Sequence, residues 1–109
     1  MEKFDLELRV STFGSIITWR VILEDATNDN NRILDWLPSE DSSFLYKKLP
    51  GYEILDDSLE VFVGCNGIRG GTVTCEVIIR DEPQKNKVVS AVTDTNYAKV
   101  SFKIKPEEK

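Results

Sequence analysis

The chain contains no histidine, which removes Ser-His and Cys-His nucleophilic sites, imidazole metal sites and the commonest general base together. Acid-base chemistry would have to come from carboxylates. Asp25, Asp29, Asp35, Glu40, Asp41, Asp56 and Asp57 are available, but no two of them have a spacing that marks out an acid and a base acting on one bond. The chain therefore reads as non-enzymatic.

The densest group of oxygen ligands is Asp25-Ala-Thr-Asn-Asp-Asn-Asn31. It lacks the EF-hand's glycine at the sharp turn and the bidentate glutamate that closes that loop. Asp25, Asn28 and Asp29, helped by Glu24 and by Glu40 or Asp41 from a neighbouring loop, are the candidates for a weak calcium site; the alternative is a solvated loop tip. No other cofactor is expected. Cys65 and Cys75 are too few for zinc, which wants four ligands. Both fall on the apolar register of their strands. If the two strands form one hairpin, cysteines ten apart sit diagonally, which strains a bridge that needs Cα atoms within roughly 7 Å. Buried thiols acting as small hydrophobes are the expectation. The glycine-rich stretch 64–72 lacks the lysine of a phosphate-binding loop and leads into a strand instead of a helix N-terminus, so it reads as a turn.

Among the aromatic residues, Trp19 lies on an inward register and reads as core. Trp36 and Tyr52 flank prolines and turns, which makes them the candidates for a carbohydrate or protein contact. Phe62 and Ile78 alternate outward, and left uncovered they would form an apolar patch in want of a partner.

These residues are carried by strands. Phe4, Leu6, Leu8 and Val10 alternate with polar residues, which predicts a half-buried strand near the start. Residues 16–24 form a second β-branched and aromatic run, with Ile17, Trp19, Val21 and Leu23 on the expected inner face. The apolar run 32–37, closed by Pro38, reads as a strand following the acidic loop. Residues 44–49 read as a short strand, with one or two helical turns as the alternative, and Pro50-Gly51 reads as a turn. Residues 58–80 read as a central β-hairpin: Leu59, Val61, Val63 and Cys65, then Val73, Cys75, Val77 and Ile79, hold a period of two on either side of Asn66-Gly67 and Gly70-Gly71. A polar loop over 81–87, a strand over 88–93, a turn at 94–96 and a last strand with Ala98, Val100, Phe102 and Ile104 inward complete the chain. About seven or eight short strands without a convincing helix predict a single all-β domain over residues 1–109, an antiparallel β-sandwich of immunoglobulin-like type.

Composition agrees with that class. The 109 residues are 40% hydrophobic and 30% charged, ordinary values for a globular domain with one core. A formal charge of −5 speaks against general nucleic-acid binding, whose affinity comes from Lys and Arg on phosphates. No apolar run reaches the roughly 20 residues of a membrane helix. The first residues lack a signal peptide's apolar stretch, though a leader already removed would leave the same start.

The strings Leu59-Glu-Val-Phe-Val-Gly64, Gly70-Gly-Thr-Val-Thr-Cys-Glu-Val-Ile-Ile79 and Lys87-Val-Val-Ser-Ala-Val-Thr93, with Leu37-Pro38 ahead of a polar turn, resemble small secreted bacterial sandwiches of immunoglobulin-like topology, such as the mycobacterial MmpS-like accessory proteins. The likeness covers about half of the chain. Where that pattern has a short Asp-Gly turn after the Thr-Val-Thr-Cys strand, this chain has Asp81-Glu-Pro-Gln-Lys-Asn86. The resemblance implies an extracytoplasmic accessory domain and carries over no catalytic residue.

The first expectation is thus a non-enzymatic extracytoplasmic module that contacts a protein or a surface polymer through loops or an edge strand. A carbohydrate- or calcium-binding module using Trp36, Tyr52 and the acidic loop is the second. A cytoplasmic or phage assembly subunit, whose strand edges pair between copies, is the third.

Overall fold

The alternation over residues 4–10 gives the first strand one face to bury, and Phe4, Leu6, Leu8 and Val10 are all buried. The computed structural model describes residues 2–24, 31–54, 58–93 and 97–103. Its strands are β1 (Glu2–Phe13), β2 (Ile16–Glu24), β3 (Asn31–Arg32), β4 (Leu37–Pro38), β5 (Leu45–Ile54), β6 (Ser58–Gly67), β7 (Thr72–Ile79), β8 (Glu82–Pro83), β9 (Val89–Val92) and β10 (Tyr97–Lys103), with one 3-10 turn at Lys85–Lys87. Among the described residues no helix is long and apolar enough to cross a membrane.

The strands form two antiparallel sheets. Sheet A runs β4-β5-β1-β7, and β8 and β9 both pair with β7; sheet B runs β10-β6-β2-β3. The sheets meet across one apolar cluster, with Leu8, Val73 and Val77 from sheet A against Val21, Val63 and Phe102 from sheet B. Each such side chain contributes roughly 1.5–3 kcal/mol relative to its exposed state. The all-β, antiparallel, sandwich-like architecture is that expected from the alternation.

Four local expectations are corrected. The central hairpin is absent: β6 pairs with β2 and β10, whereas β7 pairs with β1, β8 and β9. Residues 68–71 therefore carry the chain from one sheet to the other as an arch. A hairpin and an arch demand the same alternation, since each strand buries one face in either case, so periodicity does not choose the pairing partner.

The run 32–37 is not one strand. It crosses from β3 to β4 with Asp35 at φ +62, Ile33 buried, and Leu34 and Leu37 exposed. Of its apolar residues only Ile33 and Trp36 pack in or against the core.

Pro50-Gly51 does not turn the chain, because β5 continues through it as a bulge. Leu6 pairs with Leu49 and Phe4 with Tyr52, so two residues of β5 stand opposite Asp5. Gly51 takes φ +62, and its N–H donates to Asp5 Oδ1 at 3.0 Å. A bulge is one of the few places within a sheet that tolerates proline.

Ile17 does not face inward. Ile16 pairs with Gly67 and Thr18 with Asn66, which leaves Ile17 as the extra residue of a bulge in β2, 74% exposed. Trp19, Val21 and Leu23 keep the inward register.

After β7 the chain reverses at once. Arg80 (φ +54) and Asp81 (φ +66) join Ile79 to Glu82, the positive-φ pair that a two-residue type I′ hairpin requires.

Candidate functional site

Two surfaces stand out, and each follows from how the strands connect. The first is the end of the sandwich where β1 passes to β2 and β6 passes to β7. These two arches nest: Ile68 N donates to Ser15 O at 2.9 Å, and Thr93 adds bonds from its N to Gly71 O and from its Oγ1 to Ile68 O, both 3.0 Å. The contact needs glycine at position 67, where a Cβ would strike the Ser15 carbonyl oxygen and lie 2.9 Å from Ile16 Cα. Gly14, at φ +80, faces Gly71 Cα with similar closeness. Around this backbone knot project Phe13, Ile17 and Ile68, at 77%, 74% and 65% exposure. They are the three most exposed large apolar side chains among the described residues.

The second is the outer face of sheet A. Across β1 and β7, Arg9 stands opposite Glu76 and Ser11 opposite Thr74. Phe44 and Val88, from the segments leading into β5 and β9, flank them and complete a trough of about 380 Å³. Arg9 is held in place: its Nε donates to Glu7 Oε2 at 2.8 Å, and its guanidinium sits 5.2 Å from the centre of the Phe44 ring.

Phe44 is set by a polar turn. Ser39 Oγ accepts from Ser43 N at 3.1 Å and Phe44 N at 3.2 Å and donates to Asp41 Oδ1 at 3.0 Å. Asp41 Oδ1 also accepts from Ser43 Oγ at 2.7 Å and Ser43 N at 3.1 Å. Those bonds hold the Asp41 carboxyl below its ordinary range, the Ser43 hydroxyl first among the causes.

Further along the same face a hollow of about 250 Å³ lies between Asp5, Glu7, Lys48, Pro50 and Asp81, with Ile78 at its floor. Ile78 is only 7% exposed, so this half of the expected outward apolar pair is covered. The other half, Phe62, is half-buried and stacks on Tyr97, with ring centres 5.3 Å apart and planes 12° apart.

Of the residues singled out from sequence, Trp36 and Tyr52 each pack against a different aromatic partner. Trp36 packs edge-on against Trp19 at 5.3 Å and spends its indole N–H on Ile33 O at 3.1 Å. Tyr52 packs edge-on against Phe4 at 6.1 Å. Both rings are half-buried against the core, each beside a different strand. Asp25, Asn28 and Asp29 lie outside the described residues. Glu40 and Asp41 are exposed, and Asp41 is spent on its own turn. Among the described residues no group of three or more potential ligands could hold a metal ion.

No protein-family model matches the chain, nor does any curated protein or solved structure. The surfaces must therefore be read from their own chemistry.

Cys65 and Cys75 are both buried free thiols, and the arch places them on facing sheets instead of diagonally in one hairpin. Cys65 Sγ donates to Ala91 O at 3.6 Å. Burial, with the Glu76 carboxylate adding to it, pushes the Cys75 thiol up to about 12, which suits packing and not nucleophilic work.

Proposed function

We propose that this chain is a non-enzymatic, extracytoplasmic binding domain that contacts a partner protein through the end formed by its two arches. One observation carries the reading: Phe13, Ile17 and Ile68, from the two arches at one end of the sandwich, are the three most exposed large apolar side chains among the described residues. Apolar tips on a backbone that cannot collapse beneath them suit burial against another protein. A polymer of hydroxyls or phosphates would leave those side chains without apolar cover. The likeness of the second half to small secreted sandwiches supports a place outside the cytoplasm. The immunoglobulin likeness enters the proposal only as a general plan, two facing sheets that bind at one end.

The test is a photo-crosslinking residue at position 68, introduced in the organism that makes the protein, followed by fractionation. The expected outcome is one reproducible protein adduct in the envelope or medium. Titration of that purified partner should then show binding weakened about 30-fold or more by Phe13→Ser with Ile17→Ser, the scale of interface hot spots. No adduct, an adduct whose binding ignores both substitutions, or a cytoplasmic location would overturn the proposal.

A further inference from the structure

The trough over β1 and β7 shares no lining residue with the arch tips and has a different chemistry. Its ionic groups are of opposite sign, Arg9 and Glu76 facing each other across the strands, and Glu7 already holds Arg9 from the side. An anion seated there would meet the Glu76 carboxylate beside an Arg9 already paired with Glu7, and a cation would meet the guanidinium, so a neutral ligand fits best.

Beside the charged pair, two residues further along the strands, lie the hydroxyls of Ser11 and Thr74; the Thr74 hydroxyl is also within 3.1 Å of Ser90 Oγ. Each hydroxyl can donate as well as accept. With Arg9 able only to donate and ionised Glu76 only to accept, the surface suits a ligand rich in groups that do both.

The strands beneath exclude one common alternative. β1 is paired on both sides, with β5 and β7, and β7 is paired with β1 and β9. No strand edge is open inside the trough for an extended peptide to join, so recognition rests on side chains. Phe44 and Val88 supply apolar walls for the C–H face of a ring, and the turn bonded by Ser39 and Asp41 fixes Phe44 in advance. The volume of about 380 Å³ falls within the roughly 300–1,000 Å³ of small-molecule sites.

We propose that this trough binds a neutral oligosaccharide, one sugar ring held between Phe44 and Val88 with its hydroxyls on Arg9, Glu76 and Thr74. The site is independent of the protein contact at the arch end and does not involve Trp36 or Tyr52.

The test is nitrogen–proton correlation spectroscopy on the full chain, titrated to millimolar concentration with maltohexaose, cellohexaose and N-acetylchitohexaose in turn, and with hexagalacturonate as the anionic comparison. At least one neutral saccharide is expected to shift the amides of Arg9, Ser11, Phe44 and Glu76, and hexagalacturonate to bind more weakly. Phe44→Ala and Glu76→Gln should each weaken binding about tenfold, while Phe13→Ser with Ile17→Ser leaves it unchanged. Glu76→Gln keeps the shape of an outward side chain, so its effect reads recognition even if Phe44→Ala disturbs its own turn. No trough shifts with any neutral saccharide, shifts centred on the arch end, or unaltered binding by Glu76→Gln would each overturn the proposal.

Discussion

The arch end and the outer face of sheet A are built from the same strands and present opposite chemistry. At the arch end the most exposed large apolar side chains are Phe13, Ile17 and Ile68. On the outer face, charges and hydroxyls from β1 and β7 surround a trough. The difference follows from continuity. Where β1 and β7 run unbroken, strict alternation sends Leu8, Val10, Val73 and Val77 inward and leaves polar residues outside. Where the chain leaves one sheet for the other, alternation has no hold. Phe13 ends β1 on the outward register of Arg9 and Ser11, while Ile17 is the extra residue of a bulge and Ile68 lies in the crossing itself. Apolar residues at such points are released from the core, and that freedom makes a protein-binding tip possible.

The largest way to break this contrast is Gly67→Ala. The added methyl meets backbone on the other arch, the Ser15 carbonyl and Ile16 Cα, and no flexible side chain can yield in its place. A loss of about 3 kcal/mol is expected in urea unfolding, the upper range for overpacking a close contact. Below the transition, amide shifts should spread over residues 13–17 and 67–71 and spare Arg9 and Glu76. Shifts spread evenly over both surfaces would show that they are not independent.

Alkaline stability sharpens the other side of the contrast, because Cys75 lies on the inner face of the strand whose outer face carries Glu76. Burial first, and the Glu76 carboxylate second, raise this thiol from 9.0 to about 12. Above 9.0 the unfolded thiol ionises while the folded one stays protonated, so the unfolded state binds fewer protons. Its stabilising effect is complete below 9.0 and is lost as pH rises towards about 12. Near pH 10.5 the loss amounts to about 2 kcal/mol. Urea titrations compared with Cys75→Val should show that difference vanish in the variant; equal alkaline losses in both proteins would place its cause elsewhere.

Much of the core was legible because burial of one strand face is written as a period of two. Leu8, Val21, Leu23, Leu59, Val61, Val73, Val77 and Phe102 all lie where alternation puts them. Pairing was not legible. The glycines at 67, 70 and 71 suit a hairpin turn as well as an arch, and the strand pairing, with the close approach of residues 14–17 to Gly67 and Gly71, separates the two.

The candidate surfaces were less legible still. Adjacent Ile16 and Ile17 next to Gly14-Ser15 hinted that one of the two must leave the core, but alternation counted back from Trp19 placed Ile17 inside. Arg9, Ser11, Thr74 and Glu76 looked like ordinary solvated positions, since nothing local marks β1 and β7 as neighbours. Trp36 and Tyr52 drew attention by residue type, and each ring instead packs against the core beside an aromatic neighbour.

Both surfaces depend on β6 and β7 belonging to opposite sheets, and solution NMR can test that arrangement directly through contacts between backbone protons of neighbouring strands. Contacts between Arg9 and Glu76 and between Val21 and Val63 are expected, with no backbone ladder joining β6 to β7. A continuous ladder between β6 and β7 would restore the hairpin, scatter Phe13, Ile17 and Ile68, and contradict the arrangement on which both proposals rest.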